Sequence, residues 1–137
     1  MIILDSTFLI DLIRSQNNVK HKSADNLLKE MIEEKKNFST TFVNVYELYK
    51  GAYRTNDIEG SLYRINEVLN DIDIIENSEK YYKVYGRISA ELERKGTPIG
   101  KFDELVAAIV LYNSAKLITN NSKDFEKILP PSDIINH

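Results

Sequence analysis

Residues 105–111, LVAAIVL, contain no polar side chain, and Asp103 and Glu104 stand directly before them. A helix that is apolar on every side has to be enclosed by protein, because none of its faces can be presented to water. The chain must therefore fold so that other elements cover this one. Its hydropathy pattern supplies them. The short run at residues 1–4 reads as a buried strand, and those at 38–40, 72–75 and 116–119 read as further strands. Between them apolar side chains recur at helical spacing: Phe8, Leu9, Leu12 and Ile13, then Leu27, Leu28, Met31 and Ile32, then Ile58, Leu62, Ile65 and Leu69. Ser78 reads as the cap of a long helix with the stripe Tyr81, Tyr85, Ile88 and Leu92, which stops at Gly96 and Pro98. Strands alternating with helices predict an α/β domain: three α/β/α layers around a central, mostly parallel sheet. Pro130 and Pro131 read as the end of the compact part, and the pattern predicts one domain over residues 1–137.

Composition removes several kinds of chemistry. The 137 residues include no cysteine, so disulfides, thiolate zinc sites and cysteine nucleophiles are excluded. The two histidines, His21 and His137, lie far apart in sequence, which argues against a histidine-rich metal site or a Ser-His-Asp triad. No apolar stretch approaches the roughly 20 residues of a membrane span. The N-terminal MIILDSTFLIDLIR lacks a basic leader and is interrupted by Asp5 and Asp11, so a cytoplasmic protein is expected. Phosphate-binding glycine motifs of dinucleotide-binding domains and P-loop enzymes are absent. A phospho-acceptor receiver domain would want paired acids after the first strand, where LDSTF offers one.

In a parallel sheet, ligands bind beyond the carboxyl ends of the strands. That rule selects Asp5, at the end of the first strand, and Asn120 and Asn121, at the end of the last. Glu47 sits in the apolar helix TFVNVYELYKGAY, with Gly51 one turn on removing side-chain bulk beside it. Each acid has a simpler reading alone: Asp5 as a turn residue, Glu47 as a surface side chain beside Lys50, Asp103 as a helix cap. Together they adjoin the three most apolar segments of the chain. Carboxylates crowded into a low-dielectric cleft repel one another and need a cation to remain ionised. An all-oxygen donor set selects a hard ion, Mg²⁺ or Mn²⁺. Such an ion polarises phosphoryl oxygens and acidifies bound water, which suits phosphodiester hydrolysis.

The segments MIILDSTFLIDLIR, TTFVNVYELYKGA, GTPIGKFDELVAAIV and KLITNNSKDFEKI resemble, in order and spacing, the blocks of PIN-domain ribonucleases, in particular VapC-type toxins of toxin–antitoxin modules. The resemblance covers nearly the whole chain and is weakest over residues 57–80. It implies a PIN-like fold and a Mg²⁺- or Mn²⁺-dependent endoribonuclease, with Asp5, Glu47 and Asp103 as the acidic metal-binding triad. The family's fourth acidic position falls on Asn121, with Asp124 three residues on, which leaves the occupancy of a second metal open. Ser6 and Thr7 match hydroxyl positions that orient a carboxylate or a water; helix capping is an equal and compatible role for them.

The resemblance also implies an RNA substrate, with tRNA as one candidate, a cognate antitoxin and a homodimer. The antitoxin groove is expected between the first two helices and the helix of Glu47, around Phe8, Leu12 and Met31. Residues 78–101 carry six Lys/Arg against three Glu in a chain of net charge −3. Lys101, Arg87 and Lys83 are thus the candidates for RNA-backbone contacts, with Lys80 and Arg94 on the same stripe. Most of the eight tyrosines sit at core spacings. The alternative function is a catalytically degenerate PIN-like module that binds RNA or acts as a scaffold, a reading that Asn121 favours and the intact triad opposes.

Overall fold

A computed structural model of the protein describes residues 1–14 and 18–137. Five strands, β1 (Ile2–Leu4), β2 (Phe38–Thr41), β3 (Asp73–Ile75), β4 (Lys116–Ile118) and β5 (Ile134–Ile135), form one sheet in the order β3-β2-β1-β4-β5. Every pairing is parallel, so the sheet is parallel throughout. The helices are α1 (Ser6–Ile13), α2 (Val19–Glu33), α3 (Phe42–Tyr53), α4 (Ile58–Leu69), α5 (Tyr82–Lys95), α6 (Lys101–Tyr112) and α7 (Ser122–Phe125).

Parallel strands need crossovers, and these helices are the crossovers. Successive side chains of β1 point to opposite faces of the sheet. Ile2 and Leu4 pack with Phe8, Leu9, Met31, Leu48 and Ile65 from α1 to α4. Ile3 packs instead with Val106, Ala107, Ile109 and Val110 of α6, together with Tyr81 and Phe125. The second face explains the sequence of α6: residues 106–110 are all at most 1% exposed, between the sheet and α5. The chain builds one side of the sheet, β1 to β2 to β3, and then returns past β1 to add β4 and β5. The reversal of strand order falls at β1–β4, and Asp5 follows β1 there.

Three expectations need correction. Pro130 and Pro131 do not end the compact part: a 3₁₀ turn, Pro131–Asp133, leads into β5, which pairs with β4. Two short apolar residues after a proline pair carry too little periodicity to read as a strand. The two histidines are not apart: His137 Nε2 contacts Asp11 Oδ2 at 2.9 Å, and His21 Nδ1 contacts the Asp11 carbonyl at 3.2 Å. The helix of Asp103 begins at Lys101, two residues early, with Gly100 as N-cap at φ 105°, a conformation open to glycine and costly to other residues. Ser78, for its part, caps a 3₁₀ turn, Glu79–Tyr81, that feeds α5.

Asp11 is 2% exposed, with Arg14 Nε 3.3 Å from its Oδ1 as ion-pair partner and His137 Nε2 hydrogen-bonded to its Oδ2. The His137 ring also meets Phe8 edge-on at 5.0 Å. Removing one member of a buried pair strands the other. His137→Ala is expected to lower stability by about 1–3 kcal/mol, read as a lower urea midpoint at unchanged m-value. Equal midpoints would show that Arg14 alone satisfies Asp11.

Candidate active site

Asp5 is 3% exposed yet well supplied with donors. Thr119 Oγ1 donates to Asp5 Oδ2 at 2.7 Å, Thr7 Oγ1 donates to the same oxygen at 3.1 Å, and Asn44 Nδ2 donates to Oδ1 at 3.0 Å. Three elements, β4's end, α1 and α3, are thereby tied to the end of β1. Asn44 is itself held from behind: Thr41, the N-cap of α3, donates its hydroxyl to Asn44 Oδ1 at 2.7 Å. The second Asn44 amide hydrogen goes to Ser6 Oγ at 2.9 Å, and Ser6 Oγ donates to Glu47 Oε1 at 2.7 Å. The helix-capping reading of Ser6 and Thr7 is not realised. Asp5 is the N-cap of α1 and makes no side-chain cap bond, while both hydroxyls are spent on carboxylates.

Glu47 and Asp103 line one cleft of about 370 Å³ with Ile99, Gly100, Lys101 and Phe102. Asp103 does not cap α6. The helix has no side-chain cap; Glu104, 3% exposed, folds back instead to accept the Ile99 N–H of the preceding turn at 3.1 Å. Burial pushes Asp103 up from its ordinary 3.8 to about 7, and the carboxylates of Asp5, Glu47 and Asp124 push the same way; Asn121, donating Nδ2 to Oδ2 at 3.4 Å, opposes them. Burial also raises Glu47, as does Asp5, against the Ser6 hydrogen bond and Lys50. Asp124 thus reaches the site as a charge while its nearest cation is Lys127 at 3.8 Å.

The donors are all oxygens: two carboxylates on the cleft, Asp5 behind them and the Asn121 amide beside Asp103. Among the described residues no group of three His, Cys, Asp or Glu is arranged to hold an ion alone. Mg²⁺ keeps several waters and takes one or two protein carboxylates, and the cleft offers two, Glu47 and Asp103.

The cationic candidates part company. Lys101 lines the acidic cleft. Arg87 borders a separate depression with Glu91, Lys95 and Lys127, and Lys83 is exposed on α5 without lining either. Lys80 sits 5.4 Å from the ring centres of both Tyr81 and Tyr112. The tyrosines are not core residues as a class: Tyr81 is buried, but Tyr46, Tyr49, Tyr53, Tyr63, Tyr82 and Tyr112 are all exposed. Helical spacing located their face and not its covering.

The expected groove is also wrong in its residues. Phe8, Leu12 and Met31 are 0%, 8% and 4% exposed and belong to the core. The open groove lies between α1, α3 and α4 instead, about 610 Å³, with Ile10, Ile13, Leu48, Gly51 and Ile65 in its walls and Glu47 where it meets the acidic cleft. A Cβ at Gly51 would meet nothing within 4 Å, so this glycine leaves space open.

The model of the family described as "PIN domain" matches residues 2–128. The chain belongs to the PIN-domain family. Ribonuclease VapC2 of Rickettsia felis is 30% identical over 99 residues, 72% of this chain and 74% of that one. Ribonuclease VapC1 of Haemophilus influenzae (strain R2866) is 27% identical over 126 residues, 92% of this chain and 90% of that one. Among solved structures, VapBC2 of Rickettsia felis bound to a promoter DNA fragment superimposes with a TM-score of 0.84 at 28% identity, covering 100% of this chain and 98% of the other. The recognised family and the α/β/α PIN fold are therefore borne out. What sequence missed in this PIN domain are Asn44, Thr41 and Thr119. Their one signal was position: Asn44 lies one turn before Glu47, Thr41 ends β2 and Thr119 follows β4.

In the absence of metal, a folded chain keeps the Asp103 proton up to about pH 7, whereas an unfolded chain loses it near 3.8. Between those values the unfolded state binds fewer protons, so stability falls as pH rises, and the cost of Asp103 is fully present above pH 7. Asp103→Asn should therefore melt higher than the parent at pH 8, by about 1–2 kcal/mol once partial solvent screening is allowed for. The gain should shrink through pH 6 and vanish near pH 4. Relief of repulsion does not extend to Asp5: Asp5→Asn replaces one of two fully used acceptor oxygens with a donor, facing either the Asn44 amide or the hydroxyls of Thr119 and Thr7, and should cost about 1–3 kcal/mol. A pH-independent difference for Asp103→Asn would contradict the charge argument.

Proposed function

We propose that this PIN domain is a Mg²⁺- or Mn²⁺-dependent endoribonuclease that hydrolyses RNA phosphodiesters, and the toxin of a VapBC-type pair acting in the cytoplasm. The observation that carries the reading is the cleft that Glu47 and Asp103 line together with raised affinity for protons, Asp5 being held behind them by three donors. Carboxyls whose proton affinity is raised by burial and by like charges gain by binding a cation instead. Asp103 and Glu47 would hold the ion, its other positions filled by water and the Asp5 charge acting from behind, with Asn121 orienting Asp103 and Ser6 orienting Glu47. When bound, a divalent ion supplies Lewis acidity towards phosphoryl oxygen and water. The chain's own part is to fix the carboxylates and to offer Lys101 to the substrate backbone. Two relatives, from Shigella flexneri and Salmonella typhimurium, are named tRNA(fMet)-specific endonucleases, which supports tRNA as a substrate to test first.

The antitoxin belongs in the groove between α1, α3 and α4. Its apolar walls suit an amphipathic segment, and Glu47, at the junction with the acidic cleft, suits a basic side chain at that segment's end. The neighbouring solved structures are themselves VapBC complexes. Homodimerisation rests on the family resemblance. The degenerate-module reading keeps one observation on its side, the amide of Asn121 at a position where an acid is usual.

Purified protein should cleave RNA with Mg²⁺ or Mn²⁺ and lose cleavage in chelator. Asp103→Asn and Glu47→Gln should each cost about 100-fold or more, the scale of removing one preorganised charged group. Cleavage by the parent in chelator, or by Asp103→Asn at the parent rate, would reject the site. For the partner, Ile10 is the residue to change, being 40% exposed in the groove wall, whereas Leu12 and Met31 would damage the core. Ile10→Asp should leave cleavage intact and weaken co-purification of the antitoxin by about 10-fold or more.

A further inference from the structure

The acidic cleft has one wall that the proposed chemistry does not use. Phe102 lies between Lys101 and Asp103, lines the same cleft, and is 55% exposed, although the helix it begins is fully buried from Val106 to Val110. Among the described residues, no other exposed large apolar side chain lines that cleft. We propose that Phe102 is a stacking platform for an unpaired base of the RNA, which seats the adjoining phosphate between Lys101 and the carboxylates. The proposal rests on the ribonuclease reading above and adds the side chain that would position the substrate through one of its bases.

Electrostatics gives the reason. The cleft carries Glu47 and Asp103, with Asp5 and Asp124 close enough to act on Asp103, against Lys101, on a chain of net charge −3. A polyanion approaching it is repelled, and one lysine and a bound ion act only at one or two phosphates. Affinity that does not depend on charge has to come from elsewhere, and base–aromatic stacking is of that kind, since every base has a π-face. In an A-form duplex those faces are covered by neighbouring base pairs. A base must be unpaired and splayed out to lie on a side chain.

A protein contact for Phe102 is the competing use. It is disfavoured by where the two cavities lie. The apolar groove that suits a protein segment is walled by α1, α3 and α4 and shares Glu47 with the acidic cleft, but Phe102 does not line it.

The test uses short single-stranded RNAs carrying 2-aminopurine, whose fluorescence is quenched on stacking, mixed with the whole protein in chelator so that nothing is cleaved. The parent should bind and quench at one position of the label. Phe102→Ala should bind about 10-fold more weakly and fail to quench. Phe102→Tyr should restore both, and Phe102→Leu, apolar but not aromatic, should not. An RNA abasic at that position should bind parent and Phe102→Ala alike. With Mg²⁺, the loss in Phe102→Ala should appear in KM more than in kcat. Quenching by Phe102→Ala equal to the parent's, or full rescue by Phe102→Leu, would overturn the proposal. So would unchanged RNA binding accompanied by weaker antitoxin binding or self-association, which would make Phe102 a protein contact. A parent that bound no RNA in any buffer and cleaved none would overturn the ribonuclease reading itself, whereas cleavage by the parent with an indifferent Phe102 would overturn only this inference.

Discussion

The Asp5 carboxylate at the end of the central strand is the point from which the site is assembled. Its oxygens are reached by hydroxyls of Thr119 and Thr7 and by the amide of Asn44, so three chain segments distant in sequence are fixed to one buried charge. Two hydrogen-bonded relays leave from it. One runs through Asn44 and Ser6 to Glu47. The other runs through Thr119, whose hydroxyl accepts the Asn121 N–H at 3.0 Å, and on from the Asn121 amide to Asp103. Each cleft carboxylate is therefore oriented by a group that is itself oriented by Asp5. Satisfied polar networks of this kind are rigid, and half-satisfied ones are costly.

The three acids divide into one that the protein compensates and two that it does not. Asp5 receives three donors and sits nearly out of solvent. Glu47 receives one, and Asp103 receives one long amide bond while facing three like charges. A chain selected only for stability would have replaced Asp103 with its neutral amide. Keeping an under-compensated acid in a cleft is the signature of stability held back for binding, the usual relation between a functional site and the fold that carries it.

The layers of this fold were readable because they rest on hydropathy period alone. Among the described residues, four of five strands and six of seven helices follow from runs of apolar residues and their spacing, and the parallel sheet follows from their alternation; the four-residue α7 is too short to show a period. Family resemblance carried the acids further than periodicity could, because a lone carboxylate beside an apolar run has several structural uses. The relays were not readable: Thr41, Asn44 and Thr119 are short polar residues whose partners lie as far as 114 positions away in sequence. Asp11 with His137 failed to register for the same reason, since 126 positions separate the pair. Helical spacing misassigned the tyrosines in the other direction. A stripe marks a face, but whether a neighbour covers it depends on packing between elements.

Asp103 and Glu104 are adjacent acids at the mouth of the most buried helix, and the structure gives them opposite tasks. Gly100, with its positive φ, turns the chain into α6 without a side-chain cap, and Glu104 folds back onto the Ile99 N–H to close that turn. Asp103 is released from capping. A helix N-terminus favours an anion by about 0.3–1 kcal/mol, less than one unit of pKa. Asp103 is nonetheless raised from 3.8 to about 7. Burial and its acidic neighbours therefore outweigh the helix end by a wide margin. A carboxylate in that position stays half-protonated near neutrality until something positive enters the cleft.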